Sequence, residues 1–117
     1  MRAGEGNWII DDFEGHAQEF ISGLTGRNKS EAVALIKILE EKGNQMHGPR
    51  SKPLGDGLFE LRKNQVRVFY VFRPGRRITL LGGMIKKEDK IPADVLEWLR
   101  KLQRKVLGMD SKEERGP

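Results

Sequence analysis

Apolar and polar positions organise the chain most clearly between Lys52 and Lys90, in the stretch KPLGDGLFELRKNQVRVFYVFRPGRRITLLGGMIKKEDK. Three short runs rich in β-branched and aromatic residues are separated there by an Asn-containing break and by Pro74-Gly75, which predicts a three-stranded antiparallel meander. In its first strand Phe59 and Leu61 fall on one face, and Leu58, Glu60 and Arg62 on the other. In the next, Val66, Val68, Tyr70 and Phe72 share one face while Arg67, Phe69 and Val71 share the opposite one. Both faces of that strand are largely apolar, so it is expected at the centre of the sheet. Arg67 then sits in a mostly covered position, where a lone charge is costly without a partner. The last strand, Arg77–Ile85, is interrupted by Gly82-Gly83, which marks a bulge or a close backbone approach.

Upstream the period changes. Trp8-Ile9-Ile10 reads as a short first strand. Asp12 is placed to cap a helix whose stripe is Phe13, Ala17, Phe20, Ile21 and Leu24, with Gly23 and Gly26 interrupting it. A second helix, with Asn28 as N-cap and Glu31 completing a variant capping box, buries Ala32, Leu35, Ile36 and Leu39 and ends at Gly43. Neither helix has enough apolar surface to stand alone, which predicts a helical hairpin on one face of the sheet. Asn44–Gly57, with its Gly and Pro residues, is expected to be an irregular loop delivering Arg50 and Lys52 to the meander. After the charged link Lys86–Lys90, Pro92 opens a last helix with Val95, Trp98, Leu99, Leu102 and Val106 on its buried stripe, closed by Gly108.

The 117 residues suffice for one core, and a single domain over 7–108 is expected, with a flexible N-terminal tail at 1–6 and a disordered C-terminal tail at 109–117. The absence of cysteine excludes a disulfide framework and thiolate chemistry, and deprives zinc of its usual soft ligands, so no metal and no cofactor are expected. No apolar run approaches the roughly 20 residues of a membrane span, and the expectation is a soluble, cytoplasmic protein. The formal charge of +5 hides a polarity. Residues 1–49 carry 5 Lys/Arg against 8 Asp/Glu, net −3, whereas residues 50–105 carry 15 against 6, net +9. A field of that sign concentrated on sheet and last helix favours a polyanion such as nucleic acid, or an acidic protein.

The succession of strand, two helices, meander and final helix, with LGDGLFELR, VRVFYVF, ITLLGGMIKK and the following KIP, resembles the RelE/ParE toxin superfamily. Within it the resemblance is to HigB-type toxins of type II toxin–antitoxin modules, and it spans Trp8 to Val106. It implies an α+β, RelE-like fold with a short N-terminal strand, a helical hairpin, a three-stranded antiparallel meander and a C-terminal helix. It also implies a metal-independent, ribosome-dependent mRNA endonuclease. The implied partners are the ribosome, mRNA and a HigA-like antitoxin with a helix-turn-helix domain.

Metal-free RNA cleavage by the 2′-OH needs a proton acceptor, cations around the phosphorane and a donor for the leaving 5′-oxygen. The resemblance assigns Arg62 and Arg67 to the phosphate, with Arg67 at the scissile group, and Lys86 and Lys87 to phosphate binding or proton donation. Lys52, Lys63 and Lys90 are expected as further RNA contacts. Without the resemblance, Arg67 reads equally as the partner of Glu60 or of a helix carboxylate. The sequence departs from HigB-type relatives at Gly82, where they often have histidine, and at Met84, where they have an aromatic residue. It also departs from RelE near Ala93, where RelE has a tyrosine. No general base stands at these positions, which leaves His47 and Tyr70 as substitutes. Two other readings remain open: a ParE-like toxin acting on DNA gyrase, and a non-catalytic basic module binding RNA or an acidic partner.

Overall fold

The computed structural model describes residues 7–87 and 90–115. The expected N-terminal tail, and the last two residues of the C-terminal one, lie outside that description. In chain order the elements are β1 (Ile9–Asp12), a one-turn 3-10 segment, α1 (His16–Ser22), α2 (Gly26–Lys42), a second 3-10 turn, β2 (Ser51–Gly55), β3 (Leu58–Lys63), β4 (Val66–Arg73), β5 (Arg77–Ile85) and α3 (Ala93–Arg115). They build one five-stranded sheet in the order β1-β5-β4-β3-β2. β1 runs parallel to β5, and every other neighbouring pair is antiparallel.

The period of two carries the packing. Leu61, Val66, Val68, Tyr70 and Ile78 face α1 and α2, where Ala17, Ala32, Leu35 and Leu39 complete the larger core. Leu58, Phe69, Val71 and Leu81 face the other way, onto Leu99, Leu102 and Val106 of α3. Strand β4 is apolar on both sides because it is covered on both sides, as its sequence required.

Three local expectations are corrected and one is kept. The meander gains a strand: Ser51–Gly55, read as loop, pairs with β3, Ser51 opposite Leu61 and Lys52 opposite Glu60. Pro53 hid it, yet proline is tolerated because β2 is an edge strand, where an absent N–H breaks nothing. Helix α2 starts at Gly26 with Thr25 as N-cap, so Asn28 and Glu31 form no capping box. Asp12 does cap α1, accepting from the Ala17 and Gln18 amides at 2.9 and 2.8 Å, with the 3-10 segment Phe13–Gly15 intervening. Finally, α3 passes through Gly108 and runs to Arg115, so Met109–Arg115 is helix rather than disordered tail. The reason is Asp110, buried against Arg73, whose Nε and Nη2 donate to its carboxylate at 3.0 and 2.6 Å.

The glycine pair in β5 marks a bulge, with Tyr70 opposite Leu80 and Phe69 opposite Gly82, so Leu81 is the extra residue. Gly83 serves close approach: a Cβ there would overlap the Phe20 ring and lie 2.8 Å from the Arg67 carbonyl oxygen.

Candidate functional site

Apart from Lys87, the basic residues singled out by the sequence gather at one end of the sheet. Register explains this. Arg62 pairs with Arg67 across β3 and β4, and Met84 pairs with Arg67 across β4 and β5. The chain leaving β5 is fixed where the Lys86 amide donates to the Gln65 carbonyl at 2.7 Å, beside the β3–β4 turn. Two adjoining concavities result. An arginine pocket of about 190 Å³ is lined by Pro49, Arg50, Arg62, Lys63, Asn64 and Arg67. A lysine cleft of about 310 Å³ is lined by Lys52, Leu54, Glu60, Lys86, Lys90, Ile91 and Leu96.

Arg67 lines the arginine pocket, 7% exposed, and meets Glu60 of the lysine cleft. Its Nη1 donates to the carbonyls of Asn64 and Val66 at 2.7 and 2.9 Å. Its Nε lies 3.6 Å from Glu60 Oε1, an ion pair without a hydrogen bond. Burial lowers its pKa from the ordinary arginine value, Glu60 opposes that shift and the Arg62 charge adds to it. The anchoring of Nη1 fixes the guanidinium plane, and among the described residues Nη2 has no hydrogen-bond partner, in a side chain that lines the arginine pocket. A planar fork held this way suits a phosphate oxygen.

The turn that grips Arg67 is itself braced. Asn64 sits at a φ of 53°, as a two-residue hairpin turn demands, and its side-chain amide donates to Glu31 of α2. Glu31, expected as a helix cap, is instead buried and 3.6 Å from Arg27. A tie from α2 to the Arg67 turn is invisible in the sequence, because it joins residues 33 apart.

Of the other expected site residues, Lys63 joins the arginine pocket, while Lys52, Lys86 and Lys90 join the lysine cleft. Lys87 is corrected: it is exposed and lines neither concavity, because successive residues of an extended chain point to opposite sides. His47 is exposed and lines a neighbouring pocket with Ile38 and Met46, which shares Pro49 and Arg50 with the arginine pocket. Tyr70 points into the opposite core, bonded to Ser51 at 2.7 Å, and burial raises its pKa. Tyr70 is therefore not at the site, whereas His47 stands at its margin. Glu60 is the one carboxylate lining the two concavities among the described residues. Arg50 is the cation the sequence placed only loosely, through the loop before β2.

The fold and this site together define an α+β protein with a basic sheet end. Solved structures bear that out at the level of fold: the RelBE2 toxin–antitoxin complex from Mycobacterium tuberculosis aligns with a TM-score of 0.56 and 16% identity, over 70% of this chain and 94% of that one. The isolated RelE toxin of E. coli aligns with a TM-score of 0.51 and 13% identity, over 77% of this chain and 96% of that one. Residues 19–104 match the family described as Phage derived protein Gp49-like (DUF891), and the chain belongs to that family. No curated protein sequence matches it.

Proposed function

We propose that this protein is the toxin of a type II toxin–antitoxin module, of HigB type, and that it cleaves mRNA on the ribosome in the cytoplasm. The observation that carries the reading is the convergence of Arg50, Arg62, Lys63 and Arg67 beside Lys52, Lys86 and Lys90 on a RelE fold. Cations that close together repel one another, and their proximity is stabilised by a polyanion. In this reading Arg67 Nη2 and Arg62 hold the scissile phosphate and neutralise the phosphorane, while Lys86 donates the proton to the leaving 5′-oxygen. A HigA-like antitoxin with a helix-turn-helix domain is the partner that silences it, consistent with a fold neighbour solved in complex with its antitoxin.

Arg67→Lys tests the assignment better than alanine, because alanine would strand Glu60 as a buried unpaired charge. Lysine keeps a positive charge near Glu60 and removes the fork. Expression of Arg67→Lys is expected to lose growth inhibition while circular dichroism shows a folded chain. A folded Arg67→Lys protein as toxic as the parent would count against the reading.

A further inference from the structure

Phosphate binding in the arginine pocket leaves the carboxylate of Glu60 without a chemical task. Glu60 is 1% exposed, lines the lysine cleft, and neither of its oxygens accepts a hydrogen bond. Its ionic neighbour is Arg67, at 3.6 Å and without hydrogen-bond geometry. Buried carboxylates in folded proteins are normally satisfied, and one left short of donors is costly to keep. Such a group in the wall of a cleft that it shares with Lys52, Lys86 and Lys90 has its acceptor sites reserved for donors that arrive from outside.

The remainder of the wall limits which donors those are. Leu54, Ile91 and Leu96 offer aliphatic surface suited to the faces of a flat ring, and Lys52 and Lys86 offer ammonium donors. At about 310 Å³ the cleft stands at the small end of ligand sites, on the scale of a single base. A carboxylate presents two parallel acceptors. Guanine alone among the RNA bases presents two adjacent N–H groups, at N1 and N2, with its acceptors O6 and N7 on the neighbouring edge. Adenine and cytosine place a lone-pair ring nitrogen beside their amino group, which a carboxylate repels. Uracil has a single N–H between two carbonyls.

We infer that the lysine cleft is a guanine subsite, in which Glu60 accepts from N1–H and N2–H and a lysine ammonium meets O6 or N7. The subsite adjoins the arginine pocket through the Glu60–Arg67 contact, so a nucleotide with its phosphate on Arg67 has its base within reach of Glu60. For its place in the biology the inference rests on the endonuclease reading, giving that activity a base preference.

The test compares guanosine 3′-monophosphate with inosine 3′-monophosphate, which lacks the N2 amine, binding to the full chain by isothermal titration calorimetry. The guanosine nucleotide is expected to bind at least tenfold more tightly, the factor supplied by one hydrogen bond to a charged acceptor. Glu60→Gln, which keeps the volume but sets a donor against N1–H, is expected to bring the ratio close to one. Equal affinities in the parent protein overturn the subsite, and that comparison requires no variant to fold. So does an undiminished preference in a folded Glu60→Gln chain. On ribosomes, cleavage ends are expected to be enriched at guanines and to lose that enrichment in messages carrying inosine. Cleavage without base preference overturns the subsite and leaves the endonuclease reading standing. Nucleotide discrimination without any cleavage does the reverse.

Discussion

Arg67 shows how one side chain can be both structural and available. Its Nη1 belongs to the β3–β4 turn and its Nε faces Glu60, while Nη2, without a partner among the described residues, is the group the proposed reading gives to phosphate. The two sequence readings, ion pair and phosphate contact, are therefore compatible. The neighbouring lysines separate by position. Lys86 is 8% exposed and in the cleft, whereas Lys87 is exposed and outside it. Lys86→Gln is expected to lower the single-turnover cleavage rate on ribosomes by tenfold or more, and Lys87→Gln to change it by less than about threefold, consistent with loss of general-acid help. Equal effects of the two substitutions would remove the distinction. Tyr70 gives a pH prediction on the opposite face. Burial raises its pKa, so the unfolded chain releases the phenolic proton first as pH rises, and stability falls above the ordinary tyrosine value of 10.0. Tyr70→Phe is expected to flatten that alkaline decline in denaturant midpoints while lowering stability at neutral pH by about 1 kcal/mol for the lost Ser51 bond.

At the scale of elements, the long C-terminal helix is fixed at both ends of its buried stripe. Leu99, Leu102 and Val106 pack on the sheet, and beyond them Arg73 of β4 and Asp110 form a buried pair. Arg77 stands 3.7 Å from the same carboxylate, and Arg73 Nη1 also donates to Thr79 at 3.3 Å. Asp110→Ala removes the buried carboxylate shared by Arg73 and Arg77, with Asp11 still 3.9 Å from Arg73 Nη1, and about 3 kcal/mol of destabilisation is expected in urea unfolding. A value near zero would mean the last turns of α3 are not docked. Strand β5 is under a different constraint, since Gly83 lies beneath Phe20 of α1. Gly83→Ala is expected to cost about 1–3 kcal/mol by overpacking, and it would shift the strand that carries Met84 toward Arg67.

Across the whole molecule, charge follows the layers. The acidic segment 1–49 supplies β1, α1 and α2, and the basic segment 50–105 supplies both concavities and most of α3. Among the described residues no helix is long and apolar enough to cross a membrane. In the proposed reading the basic end of the sheet meets RNA, and affinity then depends on salt. Each phosphate neutralised on a single strand contributes about −0.7 to the slope of log affinity against log salt. Arg62→Gln is expected to make that slope shallower by about this amount in ribosome or RNA binding. An unchanged slope would place Arg62 outside the phosphate contacts.

Local pattern determined the elements and their faces. The alternation in LFELR and VRVFYVF decided which side chains of β3 and β4 meet α3 and which meet α1 and α2, because the pleat has a period of two. It also brought Arg62 and Arg67 to a common face. What it could not contain was any fact depending on distance in sequence. Pro53 concealed β2 because only an edge position makes proline harmless, and Gly108 looked like a helix end because Asp110 finds Arg73 37 residues away. The tertiary structure alone divided the cations between two concavities, turned Tyr70 into the opposite core, and set Glu60 in a cleft wall. Each outcome rests on which strands lie side by side, and strand neighbours are chosen by burial of the whole sheet.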